Sequence, residues 1–155
     1  FVLASKLPKF DKARELLFYR LFIQNALLVL RMKKSGVDVK KIRGHLIFTG
    51  KEKNSVLEKM VAAPSFEESL TVLDDAKGFH LKKSFDEGKK LWDLELELEK
   101  LFFEKERKTL RIQVLSFSVV VGFLYLKMVE ISNLKKIALG KHFGLEDLFK
   151  QHLVN

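Results

Sequence analysis

The side chains with which this chain could do chemistry are its histidines, His45, His80, His142 and His152, and its grouped carboxylates, Asp74-Asp75 and Glu95/Glu97/Glu99. A metal site needs several convergent ligands, and no two of these histidines stand at a ligand spacing with acidic partners. They read as surface or packing residues, His45 from an expected helix whose inner face it can line. General acid–base work needs a cleft that moves carboxylate pKa values. The glutamate series instead reads as a solvated helix face with lysines such as Lys100 interleaved, and Asp74-Asp75 reads as a turn. Cysteine is absent, which excludes disulfides, thiolate metal sites and thiol catalysis. No GxxxxGK[ST] phosphate loop and no GxSxG nucleophile turn occurs. No catalytic, cofactor-binding or metal-binding residue is expected, and so no active site of the chain's own.

The elements that would have to position such groups are helices. The 155 residues are 47% hydrophobic and 32% charged, a globular composition, with 2 prolines and 8 glycines to interrupt it. Apolar mass comes from Leu and from 14 Phe, without the Val, Ile and Thr runs of a sheet. The length suits one all-α unit across residues 1–155. Its net charge of +9, from 29 basic against 20 acidic residues, implies attraction to acidic surfaces. A basic helical adaptor for nucleic acid or for another protein is the alternative reading, resting on Lys33-Lys34 and Lys40-Lys41-Arg43. The lysines and glutamates are interspersed and no recognition-helix motif is present, so nucleic acid is not expected as a partner.

The chain opens on Phe1, consistent with trimming or processing, and nothing beside it has the layout of a secretory signal. Leu16–Met32 contains Arg20, Gln24 and Asn25, and the apolar run Phe117–Leu126 is about half of the roughly 20 residues a spanning helix needs. Both runs are expected as buried bundle helices. Asp11 is placed to cap a helix to Lys34, with Gly36 after its basic last turn. Asp38 caps a second helix through Ile47, ended by Gly50. Capping boxes Ser55–Glu58 and Ser65–Glu68 open two more helices. An irregular stretch follows, with a turn near Gly78. Leu91, Leu94, Leu98 and Leu101 then mark a long amphipathic helix from about Lys89 to Arg111. Helices over Val119–Leu139 and Glu146–Val154 complete the chain.

Two helix–Gly–helix corners, about residues 12–50 and 117–155, repeat one pattern. Asn25, Lys33 and Gly36 match Asn133, Lys141 and Gly144, each pair 108 residues apart, with Val29 and Ile137 in the same register. Asp38 and Glu146 follow each glycine by two places and are expected to cap the next helix. Each lysine faces the negative end of its helix, and each asparagine, deep in an apolar helix, offers hydrogen bonds to a neighbouring corner's backbone. Glu130, between Lys127 and Asn133, reads as an ion pair with Lys127 or with a neighbouring corner's lysine, the alternative being an anchor for a partner's basic residue. A repeated helical building block needs no chemistry.

The segment Tyr125–Leu145, YLKMVEISNLKKIALGKHFGL, resembles the signature of one family of rotary-ATPase proteins, the C subunits of A-type ATP synthases and the related d subunits of V-type ATPases. Lys127, Glu130, Ile131, Asn133, Leu134, Ile137, Gly140, Lys141, Gly144 and Leu145 carry the likeness in order. Lys135 stands where Arg is usual, which keeps charge but not bidentate geometry. The first corner, IQNALLVLRMKKSGVDVKKI, is similar to the family's other corner and departs at Ala26, where Leu is commoner. LWDLELELEKLFFEK resembles the helix that precedes the second corner.

The resemblance implies part of a pseudo-symmetric funnel of three related helical units, in proteins about twice this length or more. Two corners are visible here, which fits a fragment, a shortened homologue or one with divergent further copies. It implies a non-catalytic central-stalk or rotor component. Such a part couples the stalk to the membrane proteolipid ring in ATP-linked proton or sodium transport, peripheral to the membrane on its cytoplasmic side. Its partners would be the other central-stalk proteins and the ring, with no cofactor. Lys135 and Lys136 are the candidate contacts for an acidic stalk foot.

Overall fold

A computed structural model describes residues 12–47, 55–112, 117–151 and 153–154. Among them every regular element is an α-helix: α1 Lys12–Lys34, α2 Val39–His45, α3 Ser55–Ala62, α4 Phe66–Lys77, α5 Leu81–Asp86, α6 Leu91–Ile112, α7 Phe117–Phe143 and α8 Glu146–Gln151. The chain is all-α, as its composition and periodicity require. Asp11 and Gly50, the expected cap and stop, lie outside the described residues.

Local punctuation explains most boundaries. Ser65 caps α4, its Oγ accepting the Glu68 N–H at 3.1 Å. Asp38 caps α2 by accepting the Lys40 N–H. Ser55 is the first residue of α3 itself. The two final helices of the corners are shorter than their patterns suggest: α2 stops at His45 with Leu46 extended, and α8 stops at Gln151. The stretch that reads as irregular contains α5. Asp74 lies inside α4, not in a turn, and its two oxygens accept the Leu81 and Lys82 N–H groups at 2.9 and 2.7 Å. It thereby satisfies orphan donors at the start of α5.

The described residues form two compact units, Leu17–Leu98 being the body of the first. There Ile23, Leu30, Ile42, Leu57, Met60, Leu70, Leu73, Leu94 and Leu98 share one buried cluster. Each such fully buried side chain contributes about 1.5–3 kcal/mol. Arg31 reaches from α1 to Glu95 of α6 in a two-pronged bridge, both hydrogen bonds 2.6 Å. Its exposed guanidinium limits that gain to about 1 kcal/mol or less.

The second unit comprises, among the described residues, 12–16 and those from Glu99 onward. Within it Phe102 packs edge-on against Tyr125, ring centroids 4.8 Å apart, and Leu16 and Val154 are buried. The expectation that both apolar runs are buried is met for α1 and corrected for α7, whose Val120, Phe123 and Leu124 are exposed. Phe102 and the six-residue α8 engage other positions of α7 and leave this face open. Among the described residues no helix is long and apolar enough to cross a membrane.

Candidate functional site

The repeated corner is the feature to build from. In the first, α1 ends in a left-handed Gly36 (φ 69°), with the Val37 N–H donating to Met32 O at 2.9 Å and the Gly36 N–H to Lys33 O at 3.0 Å. In the second, Gly144 has φ 65°, the Leu145 N–H donates to Gly140 O at 2.8 Å and the Gly144 N–H to Lys141 O at 3.4 Å. Every participant is displaced by 108 residues from its counterpart. Both are Schellman ends, in which a residue without Cβ adopts a conformation costly for others.

The asparagines do one job twice. Asn25 Nδ2 donates to Ile47 O at 2.8 Å while its Oδ1 accepts the Ile47 N–H at 3.2 Å. Asn133 treats Val154 identically, at 2.8 and 3.1 Å. Each side chain thus satisfies both backbone groups of one residue in the extended segment after the corner's second helix. The partner is the corner's own return segment, correcting the expectation of a neighbouring corner. An asparagine in a helix interior carries a propensity cost, which two otherwise unpaired backbone groups offset.

The corners differ by one residue. The clasp spans 22 residues in the first and 21 in the second, and α2 has 7 residues against 6 in α8. Glu146 consequently begins α8 instead of preceding it as a cap, which corrects the expected match with Asp38. The same deletion brings Phe149 to the place of Ile42. Gly140 lies beneath Phe149, and a Cβ there would sit 3.1 Å from Phe149 Cβ. In the first corner the place of Gly140 is taken by Met32, packed against the cluster that holds Ile42. Gly140→Val is therefore expected to destabilise the chain by about 1–3 kcal/mol, since α8 must move to admit the side chain. Urea denaturation against wild type measures it.

Lys33 departs from its expected role. Its ammonium donates to the Ala63 carbonyl just past the end of α3, serving a neighbouring helix terminus instead of its own. Burial pushes its pKa below the usual lysine value, and the nearby Glu68 carboxylate opposes that. Lys141, its counterpart, is exposed and makes no hydrogen bond or ion pair through its ammonium among the described residues. Lys127 pairs with Glu130 at 2.6 Å on an exposed face, so Glu130 is partnered as read, but in solvent. Lys135 is exposed and Lys136 half-buried on α7. His45 is exposed, its Nδ1 2.8 Å from Lys41 O, and does not line an inner face. Among the described residues no group of three His, Asp or Glu side chains converges as a metal site would require.

The structure brings Asn25, Lys33 and Gly36 into one corner and Asn133, Lys141 and Gly144 into another. Residue pattern did not reveal the clasped residues Ile47 and Val154, the Ala63 carbonyl or the Gly140–Phe149 contact. Backbone acceptors carry no signature in the sequence, although Gly140 stood within the motif.

Comparison with known proteins matches residues 9–150 to the family described as ATP synthase (C/AC39) subunit. The chain belongs to that family. It is 29% identical over 117 residues to the C subunit of the A-type ATP synthase of Pyrococcus furiosus, covering 74% of this chain and 32% of that protein. Against the corresponding A-type ATP synthase C subunit of Archaeoglobus fulgidus it is 27% identical over 135 residues, covering 85% of this chain and 39% of that protein. The chain thus spans 32% to 39% of these relatives' length. No solved structure matches. Membership accounts for the motif on α7 and for the likeness of the two corners to the family's pattern.

Proposed function

We propose that this chain serves as a non-catalytic part of the rotor of an A- or V-type ATPase, joining the central stalk to the membrane proteolipid ring. The observation that carries this reading is the family match over residues 9–150, nearly the whole chain. Its physical content is mechanical. Helix ends locked by Schellman glycines and return segments clasped by asparagines make stiff corners, and a torque-bearing part needs stiffness and complementary surfaces more than reactive groups. In this reading the corners contribute to a pseudo-symmetric funnel, and the protein lies against the membrane on its cytoplasmic side, held by the ring. Lys135 and Lys136 contact the acidic foot of the stalk, and Asn25, Lys33, Gly36, Lys127, Glu130, Asn133 and Gly144 maintain the corners that present them.

The test is a pull-down of the tagged chain from native membranes, with partners identified by mass spectrometry. Recovery of central-stalk and proteolipid proteins is the expected result. Recovery of neither, with nucleic acid carried along at low salt, returns the basic-adaptor reading. Reversing Lys135 and Lys136 to Glu is expected to weaken stalk binding by tenfold or more, because like charges then face each other. Unchanged binding removes these lysines from the interface.

A further inference from the structure

Helix α5 has six residues, far short of the roughly 12–15 at which an isolated helix begins to persist in water. Left-handed residues stand on both sides of it, Gly78 (φ 67°) and His80 (φ 59°) before it and Gly88 (φ 94°) after it. His80 is the one non-glycine residue with positive φ among the described residues, and its Cβ makes that conformation costly. Its imidazole gives α5 no capping hydrogen bond. The helix is thus short, uncapped by its own first residue and entered through a strained one.

What holds α5 comes from its neighbours. Asp74 of α4 accepts the Leu81 and Lys82 N–H groups. Leu81 is fully buried in the cluster that contains Leu70 and Leu73, while Lys82, Lys83 and Asp86 are exposed. The Phe85 ring meets Phe66 edge-on, centroids 5.0 Å apart, and the Lys34 ammonium lies 5.7 Å from both centroids. Ser84 Oγ stands 3.4 Å from Glu97 of α6, which also pairs with Lys89. Lys34 ends α1 two residues before Gly36, so this fastening reaches the first corner.

We propose that α5 is a hinged strap, which opens and closes as a unit about Gly78–His80 and Gly88 while α1, α3 and α4 stay folded, and that Lys34 ties its closure to the first corner. Opening lets His80 leave the left-handed region and returns Asp74 and Lys34 to water, which replaces their partners. Its cost falls on one buried leucine and one ring contact. Helix α4 keeps its own ends without α5: Ser65 caps its start, and the Gly78 N–H donates to Asp74 O at 2.6 Å at its close. Its inner residues Phe66, Leu70 and Leu73 remain clustered with Leu30 of α1 and with Leu57 and Met60 of α3. Local opening is therefore cheaper than unfolding that cluster. The proposal stands independently of the rotor reading.

The test is native-state hydrogen exchange of the full chain, followed by NMR. The Leu81, Lys82 and Ser84 amides are all hydrogen-bonded in the closed form. Their opening constants are expected to exceed those of Leu30 in α1 and Leu70 in α4 by at least a hundredfold. Phe85→Ala is expected to speed α5 exchange tenfold or more, and Lys34→Ala two- to fivefold. Ile42→Val, in α2, is expected to speed exchange in α1 and α4 severalfold and to leave α5 unchanged, because the surroundings of Ile42 stay folded when the strap opens. Equal opening constants in α5, α1 and α4 overturn the proposal, as does an Ile42→Val that speeds α5 as much as α1. Complete exchange of α5 at the shortest labelling time would show that the helix does not close in solution, and overturns it equally. An α5 rate that Lys34→Ala leaves unchanged overturns the tie to the first corner.

Discussion

Asn25→Ala is expected to destabilise the chain by about 2–4 kcal/mol, because it strips partners from both backbone groups of Ile47. Asn25 is almost fully buried, and its amide meets the Ile47 N–H and C=O at once. Aspartate is nearly isosteric but cannot donate to the carbonyl, and it sets a carboxylate against that oxygen in a poorly solvated site. Asn25→Asp is therefore expected to cost at least as much as alanine. Asn133→Ala, at the half-buried copy of the same clasp, is expected to cost less, about 1–2 kcal/mol, since the Asn133 side chain is itself less buried and less packing is lost with it. Urea denaturation of the three variants checks the order. Equal losses at the two asparagines would show that burial does not set the clasp's worth.

Leu70→Ala is expected to cost about 2–5 kcal/mol, the range for emptying a buried leucine site. Leu70 is fully buried in α4, within the cluster that joins α1, α3 and α4. Leu134→Ala removes the same atoms from an exposed site of α7 and is expected to change stability by about 0.5 kcal/mol or less. For a chain of this size 1 kcal/mol shifts the melting temperature by about 2–4 °C, so Leu70→Ala separates clearly from wild type in a thermal scan. A Leu134→Ala loss as large as that of Leu70→Ala would mean that the α7 face is already buried in solution.

Much of the candidate site was legible because it is local. A helix that ends in Lys-x-x-Gly announces its left-handed stop, and a serine three residues before a glutamate announces a start. Both are settled by the chain's immediate neighbours. The equal spacing of Asn25 to Asn133 and of Gly36 to Gly144 located the corners, and the apolar steps through Leu91, Leu94 and Leu98 located α6. For Glu130 the sequence offers Lys127 or a neighbouring corner's lysine, and the structure pairs it with Lys127, three residues away on the same helix face.

Spacing could not say what the asparagines hold. The groups they clasp are backbone atoms of Ile47 and Val154, which any residue would offer, and only the return of the chain brings them within reach. Asp74 was misread for the same reason: its capping partners lie 7 and 8 residues on, across a turn that places them. Periodicity, capping and glycine conformation act within one or two turns, so the helical class, the corners and the family motif could be read from the order of residues. It took the folded chain to show that two nearly equivalent apolar helices part ways, α1 beneath α3 and α4 and α7 open to solvent. Burial depends on which element arrives from elsewhere in the chain, and an apolar stripe reads the same whether or not anything covers it.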